Sequence, residues 1–379
     1  MPRQHHHRRP DARTAIPTTV GPRRRSPRGP RLALAAAMLA GALATGCGDD
    51  AAAPASTAAM AADAGGRTTY PLRLADDCGR PVTIERAPRR VVSVNQGSTE
   101  VLLSLGLQDR LVGTATWTDP VRENLRAANA KVPRLADDVP SMEKVLDRQP
   151  ELVTASFGFA LNGEDRDRRR RYEKLGVATY MAPSECTDRD GGGSGDGPRA
   201  RPLRIEVIHR EIRELARIFD VAERGERLVA DLRRRLAAAG RVRAAPGTSV
   251  AFWFANDKSP YMAGCCGSSG IISRTLGVEN AFADTHDEWP QVSWEAVAER
   301  DPDVLVLGDL SRRQQTAEDF RSKVRFLESN PVTRRMTAVR RKRYVAMNGA
   351  DLNPSIRTVD GAEKLAAGLR RFGLTAGGE

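Results

Sequence analysis

Short apolar runs alternate along the chain with segments whose apolar residues recur at helical spacing. The run "RVVSV" at 90–94 precedes "TEVLLSL", where Val101 and Leu105 fall on one helix face. Further strand-like runs follow at 110–115, 151–157 and 177–181, with helical segments between them. Alternating strands and helices predict a mostly parallel sheet covered by helices.

A second block with the same alternation follows a long helical segment. Residues 203–239 keep one face apolar from Ile205 to Leu236, so a long helix is predicted there. Strand-like runs "SVAFWFA", "DVLVLG" and "RRKRYVAM" come next, and a final helix is expected at about 360–370. The segments "MEKVLDRQPELVTA" and "WEAVAERDPDVLVL" resemble each other, which indicates two α/β lobes of similar topology.

The boundaries of these parts follow from changes in composition. Residues 188–202 are rich in glycine but lack the order of a phosphate-binding loop, so they are expected to form a surface loop. The predicted parts are a signal peptide at 1–46, a flexible tether at 47–69, an N-terminal lobe at 70–202, a helical interlobe segment at 203–243 and a C-terminal lobe at 244–379.

Most of the net positive charge lies in the first part of the chain. The 379 residues carry a formal charge of +12, which alone would point to a nucleic acid or an anionic membrane. Nine arginines and one acid, Asp11, precede Cys47; without them Lys+Arg falls from 60 to 51 and Asp+Glu from 48 to 47, which leaves +4. The basic excess is local, and no nucleic-acid partner is expected.

The beginning of the chain has the pattern of an export signal. A basic run, "RRRSPRGPR", precedes an apolar stretch at 32–44 that is too short to span a membrane comfortably. The following "ATGC" is typical of a bacterial lipoprotein signal, in which Cys47 is lipidated and becomes the new N-terminus. The alternative is an ordinary secretory signal with a free Cys47.

The cysteine count agrees with export to an oxidising compartment. Lipidation of Cys47 would leave an even number, four, of which Cys78 and Cys186 are the candidates for a long-range disulfide. Cys265 and Cys266 are adjacent, and the sequence leaves open whether they form a vicinal disulfide or stay reduced.

Residues for catalysis or metal binding are sparse. Only His209 and His286 follow the leader, and the chain has no H-E-x-x-H motif. The "GSSG" at 267–270 does not match the G-x-S-x-G pattern of serine hydrolases. Neither an enzyme nor a metal site is expected.

Five segments in order carry a family resemblance: "APRRVVSVNQGSTEVLLSLGLQDRLVGTA", "VLDRQPELV", "GIISRTLGVENAFAD", "WPQVSWEAVAERDPDVLVL" and "IRTVDGAEKLAAGL". Over nearly all of 70–375 the chain resembles the substrate-binding proteins of ABC importers for ferric siderophores, haem and cobalamin, the class III periplasmic binding proteins. The resemblance implies two Rossmann-like lobes joined by a long α-helix, with a ligand cleft between them. It further implies a monomer without a resident cofactor, lipid-anchored on the extracytoplasmic face of the cell membrane, that serves an ABC permease with a cytoplasmic ATPase.

The expected ligand contacts follow strand ends, because ligands of open α/β sheets bind beyond the carboxyl ends of the strands. Aromatic side chains suit a large planar or chelate ligand, and an arginine suits a carboxylate or phosphate. The candidates are Asn95, Gln96, Trp117, Phe157, Phe159, Trp253, Tyr261 and Arg357.

The resemblance also assigns a role to two glutamates. In the family, an acidic residue on each lobe docks into a basic pocket of the permease, and the matching positions are Glu143 and Glu295. Each lies near the start of a short predicted helix, where the helix dipole alone would favour a carboxylate. Docking of this kind should weaken as salt concentration rises.

The expected ligand is a ferric siderophore, which is the most frequent ligand of the family. Cobalamin, haem and a deazaflavin-type cofactor are the alternatives for the same transport role. A signalling or adhesion lipoprotein that keeps the fold without transport is a further alternative.

Overall fold

A computed structural model describes residues 66–75, 80–162, 167–189, 197–312 and 314–377, apart from the side chain of Asn162. The predicted signal peptide, most of the predicted tether, Cys47 and Cys78 lie outside these residues. No helix in these ranges combines the length and the apolar character that crossing a membrane requires.

The structure contains ten strands and fourteen α-helices within the described ranges. The strands are β1 Leu72–Leu74, β2 Val82–Ile84, β3 Val91–Ser93, β4 Leu111–Thr114, β5 Leu152–Ala155, β6 Ala178–Met181, β7 Ser249–Trp253, β8 Glu279–Asn280, β9 Val304–Gly308 and β10 Tyr344–Met347. The helices are α1 Gln96–Ser104, α2 Arg126–Asn129, α3 Met142–Leu146, α4 Gly158–Asn162, α5 Arg168–Lys174, α6 Pro183–Cys186, α7 Glu206–Ile218, α8 Ala222–Gly240, α9 Ser268–Leu276, α10 Trp294–Arg300, α11 Phe320–Ser329, α12 Thr337–Arg340, α13 Gly349–Leu352 and α14 Thr358–Arg371.

Two parallel four-stranded sheets form the centres of two lobes with the same topology. The first sheet has the order β4-β3-β5-β6, and the second has the order β8-β7-β9-β10. In each lobe the strands therefore lie in the order second, first, third, fourth. The prediction of two α/β lobes of similar topology is confirmed, and β1 and β2 form the small antiparallel hairpin that precedes the first lobe.

The central strands are buried on both faces, as expected for a parallel sheet covered by helices. Strands β3, β5 and β9 consist mostly of Val, Leu and Ala, and all of their residues are buried. The register places Val92 beside Val153 in the first lobe and Phe252 beside Val306 in the second. This pairing aligns the carboxyl ends of the first and third strands in each lobe.

The interlobe segment consists of two helices, so the prediction of one continuous helix over 203–239 is wrong. Helix α7 ends at Ile218 and α8 begins at Ala222, because Asp220 between them adopts a left-handed backbone with φ of 57°. Aspartate is one of the few residues besides glycine that adopts this conformation readily. The apolar pattern continues across the break because both helices bury an apolar face against the first lobe.

Helix α8 is the element that joins the lobes. Its Leu232 packs in the hydrophobic core of the first lobe, and its Ala239 packs in that of the second. Leu236, between them, packs against both cores. At 19 residues the helix is about 28 Å long, enough to connect the two cores directly.

Candidate functional site

A cleft lies where the carboxyl ends of the first and third strands of both lobes face each other. This is the position of the topological switch point in a sheet with this strand order. The cavity contains about 1070 Å³ of empty space, part of which is open to solvent. Its lining comprises Asn95, Gln96, Gly97, Thr116, Thr118, Ser156, Phe157, Phe159, Phe254, Tyr261, Trp289, Arg312, Gln315, Ala350, Asn353, Pro354 and Ser355.

Asn95 ties together the ends of the first and third strands of the first lobe. It follows β3 in an extended conformation and precedes the first residue of α1. Its side-chain Oδ1 accepts hydrogen bonds from the backbone N–H groups of Ser156 and Phe157, both at 3.1 Å. The side chain therefore fixes the loop after β5 against the turn after β3, and both segments line the cleft.

Gln96 makes the corresponding connection to the second strand of the lobe. Its Oε1 accepts from the backbone N–H groups of Thr118 at 3.1 Å and Asp119 at 3.0 Å, in the loop after β4. Its Nε2 donates to Glu100 at 3.1 Å, one turn further along α1. The polar turn after β3 thus organises three strand ends into one wall of the cleft.

Gly97 is required by the close approach of two loops. A Cβ atom at this position would lie 2.6 Å from the Ser156 hydroxyl. That hydroxyl accepts from the backbone N–H of Ser98 at 2.7 Å and lies 2.9 Å from the Ser98 hydroxyl. A larger residue at position 97 would separate the two loops and change the shape of the cleft wall.

Aromatic rings form much of the remaining surface. The Phe157 and Phe159 rings stack at 5.7 Å between centroids, and Phe159 is 52% exposed. In the second lobe the Phe254 and Trp289 rings lie 4.9 Å apart. These rings and Tyr261 give the cleft an apolar surface of the kind that buries large planar or chelate ligands.

Arg312 is the one cationic side chain in the cleft lining that the described residues provide. Its guanidinium lies over the Phe254 ring at 5.2 Å from the centroid. It also forms an ion pair with the buried Glu318 at 2.9 Å. The Glu318 carboxylate therefore largely neutralises the positive charge of Arg312 at the cleft.

Direct contacts between the lobes close the cleft along one side. The Asp119 carboxylate of the first lobe accepts from the backbone N–H groups of Gly349 at 3.2 Å and Ala350 at 2.8 Å. The Ser311 hydroxyl of the second lobe donates to the Thr118 carbonyl at 2.8 Å. The two lobes are thus joined by hydrogen bonds next to the ligand cavity.

Five of the eight predicted ligand contacts come together in this cleft. They are Asn95, Gln96, Phe157, Phe159 and Tyr261. Trp117 is buried outside the lining, with the Arg134 guanidinium 5.3 Å from its ring centroid. It is not a cleft residue in this arrangement.

Trp253 and Arg357 are corrections to the predicted ligand-binding set. Trp253 is fully buried in the core of the second lobe, where its Nε1 donates to the carbonyl of Ala255 at 2.9 Å. Arg357 is buried as well, and its Nε donates to the Glu100 carboxylate at 2.7 Å. The side chain expected to hold an anionic ligand group is instead paired with a glutamate of the other lobe.

Three further cleft residues, Phe254, Trp289 and Arg312, are not among the predicted ligand contacts. Phe254 directly follows β7, and Arg312 lies in the loop after β9. Both therefore fit the expectation that ligand contacts lie beyond the carboxyl ends of the strands. Trp289 lies in the long loop after the two-residue strand β8; it opens the segment "WPQVSWEAVAERDPDVLVL" but follows no strand that the sequence predicts.

Three of the five cysteines, Cys186, Cys265 and Cys266, lie within the described residues. Cys265 and Cys266 are joined by a vicinal disulfide, which decides the question that the sequence left open. Cys186 also takes part in a disulfide. Because Cys78 lies outside the described residues, the Cys78–Cys186 pairing stays a prediction.

The two predicted docking glutamates occupy equivalent places in the two lobes. Glu143 lies in the first turn of α3, before the third strand β5, and Glu295 lies in the first turn of α10, before the third strand β9. Both helices begin at a serine whose hydroxyl accepts a backbone N–H, Ser141 in α3 and Ser293 in α10. Both glutamates are exposed, and within the described ranges neither carboxylate pairs with another side chain.

Comparisons with known proteins agree with this architecture. A sequence profile described as "Periplasmic binding protein" matches residues 91–349. The chain is 23% identical over 281 residues to an uncharacterised ABC transporter substrate-binding lipoprotein, YvrC, of Bacillus subtilis, covering 73% of this chain and 79% of that protein. It is 25% identical over 237 residues to a vitamin B12-binding protein of Pectobacterium carotovorum, covering 62% and 76% respectively.

The fold is also similar to solved structures. The crystal structure of a periplasmic binding protein from Veillonella parvula superposes with a TM-score of 0.67 at 25% identity, covering 76% of this chain and 94% of that one. The family match covers more than half of the chain and includes the turn after β3 and the loop after β9, which line the cleft from the two lobes. The chain therefore belongs to the periplasmic binding protein family, and it is a substrate-binding protein of an ABC importer rather than an enzyme.

Proposed function

We propose that this protein captures a ferric siderophore and delivers it to the permease of an ABC importer. The observation that carries the proposal is the interlobe cleft, which combines aromatic rings from both lobes with amide and hydroxyl groups at the strand ends. Such a surface can bury the organic shell of an iron chelate while a few polar groups orient it. The iron is then cargo inside its chelator, and the protein supplies no ligand to it.

The charge of the cleft favours a particular class of siderophore. Ferric catecholates are strongly anionic, and burying them requires several cationic partners. Within the described lining, Arg312 is the only such group, and Glu318 already neutralises it. A ferric hydroxamate, whose chelated core is close to neutral, fits this lining better.

Cobalamin is the second candidate, because a relative with 25% identity is a vitamin B12-binding protein. A corrin ring is also large and partly planar, and the aromatic wall of Phe157, Phe159 and Trp289 suits it equally well in chemical terms. A fluorescence titration with both ligands distinguishes them directly.

We infer that the protein works on the extracytoplasmic face of the membrane through a lipid on Cys47. The signal pattern before Cys47 and the similarity to a substrate-binding lipoprotein support this placement. Cells fed a labelled fatty acid should incorporate it into the wild-type protein and not into C47A. Equal labelling of the two proteins would contradict the anchor.

Trp289 provides a fluorescence signal for the ligand test. It is the one tryptophan among the lining residues, whereas Trp117, Trp253 and Trp294 are buried outside the lining. We expect a ferric hydroxamate to quench the emission of residues 50–379 saturably, with a dissociation constant below about 1 µM. The panel also contains a ferric catecholate, cobalamin, haem and a deazaflavin cofactor.

The matched variants are W289F and W117F. W289F should lose most of the quenching while calorimetry still detects binding, and W117F should keep the signal because its indole lies outside the lining and its Nε1 makes no hydrogen bond. Saturable quenching by cobalamin alone would replace the first candidate with the second. No binding of any member of the panel would contradict the proposal.

Delivery to the permease is expected to depend on Glu143 and Glu295. Two exposed ion pairs contribute about 1–2 kcal/mol together, so E143Q/E295Q should raise the concentration needed for half-maximal ATPase stimulation about tenfold. The measurement is the ATPase rate of the reconstituted importer at several salt concentrations. Ligand affinity should not change.

The control for docking is E223Q/E279Q, which removes two exposed carboxylates elsewhere on the chain. This variant should stimulate the importer like the wild type. The difference between the two double variants should shrink as salt is added, because screening weakens exposed charge pairs. Equal stimulation by both variants at low salt would rule out the assigned docking role.

A further inference from the structure

The vicinal disulfide lies beside a histidine at the surface of the second lobe. Cys265 and Cys266 are in the loop that leads into α9, and His286 is in the loop after β8. The two sulfur atoms and one imidazole nitrogen lie within 4.8 Å of one another. These three groups are outside the cleft lining, and the ligand-binding role does not use them.

Backbone contacts hold these two loops together independently of the disulfide. The N–H groups of Gly264 and Cys265 donate to the carbonyls of Glu288 at 3.1 Å and Thr285 at 3.0 Å. A Cβ atom on Gly264 would lie 2.0 Å from the Asp287 carbonyl oxygen, so only glycine permits this approach. These contacts keep the backbone of Cys265 beside the His286 loop without needing the S–S bond.

The imidazole of His286 is oriented as in many metal sites. Its Nδ1 lies 2.7 Å from the backbone carbonyl oxygen of Arg199, which can only accept, so Nδ1 carries the proton and Nε2 keeps its lone pair. Arg199 is itself held by Glu288, with Nε at 3.0 Å and Nη2 at 2.7 Å from one carboxylate oxygen. The backbone N–H of Arg199 in turn donates to the His286 carbonyl at 3.1 Å.

The surroundings also favour thiolates and give an ion access. Cys266 directly precedes Gly267, the N-cap of the nine-residue helix α9, and a helix N-terminus stabilises a nearby thiolate. Cys266 is buried and Cys265 is half-buried, whereas His286 is exposed. An ion can therefore reach the three groups from the solvent side.

We propose that the Cys265–Cys266 disulfide covers a redox-gated site for a thiophilic cation such as Zn²⁺. When a thiol reductant transfers two electrons to the disulfide, with two protons, it is itself oxidised to a disulfide and Cys265 and Cys266 become thiols. Each thiol loses its proton on metal binding, so the two thiolates and Nε2 of His286 provide three ligands. Water occupies the fourth position, and the oxidised form of the protein does not bind the ion.

The test measures Zn²⁺ binding before and after reduction. A phosphine converts the disulfide and one water molecule into two thiols and phosphine oxide, and it is then removed under argon. Competition with a chromophoric chelator should show one tightly bound Zn²⁺ per reduced chain and none per oxidised chain. Reduced C265S/C266S should lose this binding, and reduced H286Q should bind at least about tenfold more weakly.

The serine double variant also controls for other thiols, because it retains Cys186. Thermal unfolding of each variant in the oxidised and reduced states shows whether it is folded. Equal Zn²⁺ binding by reduced wild type and C265S/C266S would overturn the proposal, as would unchanged affinity in H286Q. A disulfide that cannot be reduced without unfolding the chain would also overturn it. None of these outcomes depends on which ligand the cleft binds.

Discussion

Replacing Arg357 with methionine is expected to lower the free energy of unfolding by about 3–5 kcal/mol. The side chains of Arg357 and Glu100 are 4% and 1% exposed, so the substitution leaves a buried carboxylate without its countercharge. Arg357 also donates through Nη2 to the Pro120 carbonyl at 2.7 Å. Urea unfolding followed by circular dichroism measures the loss.

The double variant E100Q/R357M separates charge from packing. It removes both charges together, so we expect it to be more stable than R357M alone. R227M provides the exposed control, because Arg227 and its partner Glu223 are 68% and 70% exposed, and it should change stability by no more than about 1 kcal/mol. A loss in R357M no larger than in R227M would contradict this account of the ion pair.

The same pair connects the two lobes beside the cleft. Glu100 lies on α1 of the first lobe, and Arg357 directly precedes α14 of the second. A second ion pair between the lobes joins Arg122 and Asp360 at 3.1 Å, and Asp360 follows Arg357 by three residues. The arginine that the sequence suggested as a ligand clamp therefore acts in this structure as a clamp between lobes.

The strand ends explain why much of the cleft could be predicted from the sequence. Apolar runs such as β3 and β5 are recognisable because a parallel strand is buried on both faces. The polar residues that follow them, such as Asn95 and Gln96, must then lie at the carboxyl edge of the sheet. That rule needs only the order of elements along the chain.

Three predictions fail because the local sequence does not contain the feature that decides them. Glu100 and Arg357 are 257 residues apart, and nothing in the neighbourhood of either residue reveals the other. Trp253 ends the apolar strand β7, which predicts a position at the cleft, but side chains along a strand alternate between its two faces and this one points into the core. The break at Asp220 leaves no sign in the apolar pattern, which continues on both sides of it.

Glu211 is a buried acid that contacts the cleft wall from behind. It lies on α7 and is almost fully buried. The Ser98 hydroxyl, in the turn after β3, donates to its carboxylate at 3.0 Å. Burial raises the pKa of Glu211 from 4.5 to about 7; the hydrogen bond from Ser98 partly opposes this shift, and the nearby Glu214 adds to it.

This raised pKa determines how stability depends on pH. Below about pH 4.5 the carboxyl group is protonated in both the folded and the unfolded chain, so its ionisation does not lower the free energy of unfolding. Between pH 4.5 and 7 the unfolded chain releases the proton while the folded chain retains it, so stability falls as pH rises. Above pH 7 the full cost, on the order of 3 kcal/mol, applies because the folded chain holds a buried charge.

E211Q should therefore stabilise the protein by about 2–3 kcal/mol at pH 8 and leave it unchanged at pH 4, because glutamine keeps an acceptor for Ser98 without the charge. Urea unfolding of wild type, E211Q and the exposed control E223Q between pH 4 and 8 measures the difference. E223Q should follow the wild-type profile throughout. Parallel profiles for E211Q and wild type would mean that Glu211 ionises in the folded chain as easily as in the unfolded one.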